Sequence, residues 1–183
     1  MKHLIKYNEK IKNKKPNIVD AAEKGFSGKI KTYIKNGVDV NMVNYKNETA
    51  LMKAVQEIYL IIVMDLLKAG ADPNIQCRDG KTALMLAKTP KILTLLLNAG
   101  ADPNIQDNDG DTVIFYTLNN VESLKKLLEK GLDLSIKNND GNNFYEVQIE
   151  QNLSPLIINY IDENFPQYKD EWEMKQNVNR FNI

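Results

Sequence analysis

The residue types that carry most protein chemistry are scarce in this chain and badly spaced for it. His3 is the only histidine and Cys77 the only cysteine. A nucleophilic thiol needs a base or a cation beside it, and no common frame pairs these two residues. One thiol and one imidazole also fall short of a zinc ligand set, and a lone cysteine excludes a disulfide within the chain. The run Asp107-Asn-Asp109-Gly-Asp111 alternates carboxylates as a calcium loop does. Such a loop requires glycine at its sixth position and glutamate at its twelfth, where Thr112 and Leu118 stand instead. Ser27-Gly28-Lys29 fails as a phosphate loop, because the glycine needed five residues before Gly28 is Glu23. Neither catalysis, nor a cofactor, nor a bound metal is expected.

Charge and hydropathy narrow the partners. Lys plus Arg and Asp plus Glu both number 24, so the chain lacks the cation excess on which general nucleic-acid binding rests. The longest apolar run is Ile58 to Met64, ended by Asp65, and it is too short to cross a bilayer. Leu4-Ile5 is too short for a signal-peptide core. A cytoplasmic protein is expected, or one exported without a recognisable signal peptide. The 183 residues suit one domain with a sizeable core.

The elements that position these residues are repeated. GADPNIQ occurs at 70–76 and again at 100–106, with weaker copies GVDVN from Gly37 and GLDLS from Gly131. A second phrase recurs between them: KNETALM at 46–52, DGKTALM at 79–85, DGDTVIF at 109–115, and a decayed DGNNFYE at 140–146. Thr49, Thr82 and Thr112 have the hydroxyl that caps a helix start. A second helix follows each, with apolar residues at helical spacing, such as Leu93, Leu96 and Leu97, or Leu124, Leu127 and Leu128. It stops at glycine, which takes the left-handed conformation that ends helices. The Asp-Pro-Asn and Asp-Gly segments beyond are turn sequences. Each unit therefore reads helix, helix, projecting hairpin loop.

These phrases and their period resemble the ankyrin repeat family over about residues 18–165. The resemblance implies an all-α repeat solenoid with projecting β-hairpin loops and about five repeats, near 18–43, 44–76, 77–106, 107–137 and 138–165. Residues 1–17, with six lysines and one glutamate, form a basic N-terminal cap or a disordered segment. Residues 166–183 form a C-terminal cap or tail, with Tyr168 and Trp172 on one helix face. Several positions depart from the family. Its proline is Ala50, Ala83 and Val113 here, and its histidine is Met52, Met85 and Phe115. The glycine between the paired helices is kept as Gly25 but replaced by Ile58. Repeats three and four are short between their helices, where Thr89-Pro90, and Asn119 with Glu122, are expected to cap the second helix. Ser154-Pro155 is expected to open the last one.

The resemblance also implies function. Family members hold protein partners on loop tips and the exposed side of the first helices. Carried onto this chain, the partner-binding candidates are Tyr45, Lys46, Glu48, Arg78, Asp79, Lys81, Asn108, Asp109, Asp111 and Tyr116. The second tip is cationic and the third anionic. The expected protein is a monomer that binds another protein, with neither nucleic acid nor membrane as partner. The competing reading is a structural or membrane-surface protein that uses the basic N-terminus.

Overall fold

The computed structural model describes residues 17–116, 120–150 and 154–181. Among these, ten helices follow one another: α1 Ile18–Glu23, α2 Ser27–Lys35, α3 Ala50–Gln56, α4 Leu60–Lys68, α5 Pro90–Asn98, α6 Val113–Tyr116, α7 Val121–Glu129, α8 Phe144–Glu150, α9 Pro155–Asn164 and α10 Pro166–Phe181. The basic segment before Asn17, with His3, lies outside the described residues, as do Leu118 and Asn119.

The helices begin and end where local chemistry says they should. Thr49 caps α3 by accepting from the Met52 amide at 3.2 Å, and Thr89 caps α5 by accepting from the Ile92 amide at 3.3 Å. Pro90 occupies the first position of α5, where a missing N–H costs nothing. At α7 the capping residue is Asn120, which accepts from the Glu122 amide at 2.9 Å; the expected Asn119 falls among the undescribed residues. Ser154 stands at the start of α9, but its hydroxyl makes no capping bond there. The second helices close in one way. At the end of α4 the Gly70 amide reaches the Leu67 carbonyl at 3.1 Å, and the Ala71 amide reaches that of Leu66 at 3.0 Å. Gly100 and Ala101 repeat this pattern on α5.

Helices pair and stack. α1 packs on α3, and α2 on α4; the second-helix row continues through α5, α7 and α9. The apolar stripe of each second helix is what the stack buries: Ile62, Val63 and Leu66, then Leu93 and Leu96, then Leu124 and Leu127, then Ile157 and Ile161. Each such side chain contributes about 1.5–3 kcal/mol when fully withdrawn from water, but only a neighbouring repeat can withdraw it. Met52 and Met85, standing where the family has histidine, are buried in this core. Phe115 meets Phe144 edge to face, with ring centroids 5.7 Å apart.

The two central first helices are cut short. Ten residues separate Thr49 from Tyr59, seven separate Thr82 from Thr89, and eight separate Thr112 from Asn120. Seven residues cannot supply both a two-turn helix and the connection to the next. After Thr82 the chain therefore makes tight turns at 83–86, with the Leu86 amide on the Ala83 carbonyl and the Ala87 amide on that of Leu84, both at 3.2 Å. After Thr112 the described residues before Asn120 hold the four residues of α6. The missing residues were expected between the helices; in repeat three they are taken out of the first helix itself.

At the C-terminal end α10 packs against α8 and α9. Tyr168 and Trp172 face the core, and Lys175 pairs with the buried Glu146 carboxylate. Glu146 also accepts from the Asn143 amide at 2.9 Å while Asn143 accepts from the Glu146 amide at 3.0 Å, a reciprocal cap at the start of α8.

Candidate functional site

Between successive helix pairs run four fingers, at 38–49, 71–82, 101–112 and 132–143. Each is braced at its base by a side chain bonding two residues on: Asp39 to the Asn41 amide, Asp72 to Asn74, Asp102 to Asn104 and Asp133 to Ser135, all within 2.8–2.9 Å. Asparagines then tie each finger to the next. Asn74 donates to the Gly100 carbonyl at 3.0 Å and accepts from the Asp102 amide at 2.8 Å. Asn104 does the same to Gly131 and Asp133, at 2.8 Å in both bonds. Asn41 accepts from the Asp72 amide at 2.9 Å but reaches the Gly70 carbonyl only at 3.5 Å.

A second ladder lies nearer the tips. The Gln76 amide bridges the carbonyls of Gly80 and Gln106 at 2.6 and 2.9 Å, and Gln106 bridges those of Gly110 and Lys137 at the same distances. Backbone bonds join tip to tip: Arg78 to the Lys46 carbonyl at 2.9 Å, Asn108 to Asp79 at 3.1 Å and Asn139 to Asp109 at 3.0 Å. Such close approach requires glycine. A Cβ on Gly80 would sit 2.6 Å from the Asn108 nitrogen, and one on Gly110 would sit 2.7 Å from that of Asn139. The only strand-like pairings among the described residues are the isolated bridges Val43–Thr49 and Lys137–Asn143.

Within each tip one side-chain oxygen closes the turn. Asn44 accepts from the Lys46 and Glu48 amides, Asp107 from Asp109 and Asp111, and Asn138 from Asp140 and Asn142. Cys77 occupies this place in the second finger and has no oxygen to offer. The Asp107 carboxylate is further engaged by the Tyr116 hydroxyl. The first carboxylate of the acidic run is therefore engaged within the fold. Among the described residues no cluster of three metal-ligating side chains forms.

The ten candidates divide by what their side chains do. Tyr45 is 74% exposed at the first tip, with the Lys46 ammonium 5.8 Å from its ring centre. Arg78, Asp79 and Asp109 are exposed. Tyr45, Lys46, Glu48, Cys77, Arg78 and Asp79 surround a groove of about 310 Å³ between the first two fingers. Glu48 is drawn inward, accepting from Asn44 at 2.8 Å and pairing with Lys53 at 2.8 Å. Burial pushes its carboxyl up, but Asn44 and Lys53 outweigh this and hold it below the usual glutamate value. Burial likewise pushes the Lys53 ammonium down, and Glu48 and Glu23 reverse that and raise it. Asn108 donates to the Arg78 carbonyl at 2.8 Å, and Asp111 accepts from Asn138 at 3.1 Å. Burial raises the Asp111 carboxyl above the usual value; the Asn138 bond opposes this, and Asp107, Asp109 and Asp140 reinforce it. Lys81 lies 4.3 Å above the Tyr116 ring. Burial and the bond to Asp107 push the Tyr116 hydroxyl well above its ordinary value.

One feature was open to sequence reasoning only in part. The shortened repeat three leaves a cleft of about 490 Å³ beside it, lined by Gln56, Glu57, Met85, Leu86, Ala87, Lys88 and Tyr116. Lys88 bridges back to the Gln56 carbonyl at 2.9 Å. Resemblance to the family marks Gln56, Glu57, Leu86 and Tyr116 as groove-facing positions, while the cleft's shape is signalled only by the count of residues between Thr82 and Thr89.

Comparison with known proteins agrees with this geometry. Residues 18–107 match the model of ankyrin repeats, in three copies. A Fowlpox virus (strain NVSL) protein, FPV222, whose name places it among ankyrin repeat proteins, is 30% identical over 106 residues, 56% of this chain and 14% of that protein. The chain therefore corresponds to a small part of that relative's length. With two phrases recurring in phase and asparagine ties repeated from finger to finger, the matched residues 18–107 belong to the ankyrin repeat family, whose repeats are in general protein-interaction modules rather than enzymes.

Proposed function

We propose that this chain is a non-catalytic module that binds another protein across its finger tips and first helices. The observation that carries the reading is the division of tasks within the fingers. Asn41, Asn74, Asn104, Gln76 and Gln106 hold the row together through backbone atoms. Tyr45, Lys46, Arg78, Asp79 and Asp109 are exposed on that row. A braced row presents its contacts with little ordering cost on binding, which favours affinity. An exposed tyrosine flanked by Lys46 and Arg78 is the type of anchor that dominates interfaces. In this reading those five residues make contact, while Glu48, Lys81, Asn108, Asp111 and Tyr116 keep the tips in place. The change from Arg78 and Lys81 on the second finger to Asp109 and Asp111 on the third fits a partner with the opposite charge order.

The test is capture of partners by the full chain, followed by affinity measurement with the protein retained. The double variant Tyr45→Ala, Arg78→Glu keeps the helical circular dichroism and binds about thirtyfold more weakly, the factor expected for loss of one hot-spot residue. Unchanged affinity would remove these residues from the interface. Reproducible failure to retain any protein would end the reading.

A further inference from the structure

Glutamine amides bridge two of the three joints between fingers. Gln76 donates to the Gly80 carbonyl in its own tip and to the Gln106 carbonyl of the next finger, and Gln106 repeats this with Gly110 and Lys137. At the joint of the first and second fingers the corresponding residue is Val43, which has no amide. By register the corresponding carbonyls are those of Asn47 and Gln76. Among the described residues neither of them accepts a hydrogen bond. Asn41, the side chain that ties this joint, makes one good bond and one at 3.5 Å.

The two carbonyls are placed like their counterparts. Asn47 has φ +58°, beside +78° for Gly80 and +79° for Gly110, so the three tips turn alike. The backbone tie between neighbouring tips is also the same. The Arg78 amide reaches the Lys46 carbonyl at 2.9 Å, as Asn108 reaches Asp79 at 3.1 Å and Asn139 reaches Asp109 at 3.0 Å. The first joint therefore has the acceptors of a glutamine rung and a side chain too short to form it, since valine ends at its γ-carbons. Val43 is 45% exposed, so a group from outside the chain can reach this place.

Neighbouring carbonyls call for a donor with more than one N–H. A primary amide, an ammonium and a guanidinium all qualify. The charged side chains of the two tips, 44–48 and 77–81, are Lys46, Arg78 and Lys81 against Glu48 and Asp79, and Glu48 is already paired with Lys53. This balance disfavours a further cation. A neutral amide is not repelled, and it is the group the chain itself uses at both other joints.

We propose that the first joint recognises a primary amide, the side chain of a glutamine or asparagine of a partner protein, which donates to the Asn47 and Gln76 carbonyls. In the complex the partner supplies the rung that Val43 cannot. This rests on the reading of the finger tips as a protein-binding row, and it gives that row a chemical preference at the end where Tyr45 and Arg78 stand.

The full chain and its Val43→Gln variant are each melted by circular dichroism and panned against phage-displayed random dodecapeptides. Val43→Gln supplies its own amide, so its thermal midpoint rises by about 2 °C, the shift expected for a further hydrogen bond in a chain of this size. The unaltered chain selects peptides in which glutamine or asparagine recurs at one aligned position. Changing that residue to glutamate or aspartate in a synthetic peptide weakens binding about tenfold, and Val43→Gln in the protein does the same, whereas the isosteric Val43→Thr leaves it unchanged. An unraised midpoint overturns the proposal, because the carbonyls are then not placed for a rung. Selection of peptides without a recurring amide, selection of none, or equal binding to Val43→Gln overturns it too. The peptides bind or fail whether or not the full chain retains a protein, so failure of this site and failure of the interaction reading are told apart.

Discussion

Truncating the asparagines that tie finger to finger should destabilise the stack in an order set by geometry. Asn74 and Asn104 each make two bonds of good length to the following repeat, whereas Asn41 makes one good bond and one at 3.5 Å. A typical intramolecular hydrogen bond contributes about 0.5–1.5 kcal/mol net. The freed groups are exposed and regain water, so the lower half of that range applies to each. Asn74→Ala and Asn104→Ala should then cost about 1–2 kcal/mol, and Asn41→Ala about half as much. Asn74→Asp sharpens the reasoning. It keeps the acceptor for the Asp102 amide but turns the donor into a carboxylate oxygen facing the Gly100 carbonyl, at the negative end of α5. It should cost at least as much as alanine. Urea unfolding followed by circular dichroism measures these costs as shifts in midpoint at constant slope. The reasoning fails if Asn41→Ala proves as costly as the other two, or if Asn74→Asp is milder than Asn74→Ala.

Two further substitutions follow from the fingers. Gly110→Ala places a Cβ against the Asn139 backbone at φ +79°, whereas at Gly131, with φ +85°, nothing stands within 4 Å. Thermal unfolding should show Gly131→Ala losing about 1 kcal/mol for the left-handed conformation alone, and Gly110→Ala losing clearly more. Asp111 has a folded pKa above its unfolded one, so its ionisation opposes folding. The penalty is absent below the unfolded value of about 3.9, grows as pH rises through the raised folded value, and is complete above it. Because the group is only partly buried, Asp111→Asn should stabilise the chain at neutral pH by no more than about 1 kcal/mol, with no gain near pH 3; equal gains at both would contradict the sign.

What the sequence shows depends on the reach of each interaction. Helix caps at Thr49 and Thr89, and the closing glycines, act over a few residues, so a single chain segment displays them. The apolar stripes of α4, α5 and α7 are legible because burial follows helical period. Nine of the ten candidate residues were legible only as tip positions, and Tyr116 only as a first-helix position. For Asn108 and Asp111 the bonds that separate bracing from outward-facing tips join residues 30 and 27 apart in the chain, whereas Glu48 and Tyr116 are bonded within their own repeat, to Asn44 and Asp107. No local signal distinguishes an amide turned to a neighbour from one turned to water.

The sequence by itself determined the repeat, its period and the positions of its turns, because each repeat carries its own caps and breakers. Tertiary structure decided the rest. Stacking made Asn108 and Asp111 bracing residues and left Tyr45 and Arg78 exposed. The residues missing from repeat three became a cleft instead of a shorter loop, since the second helix must stay in register with its neighbours to bury Leu93 and Leu96. It also held Ile58 on the surface at φ +60°, a left-handed conformation that a β-branched residue resists.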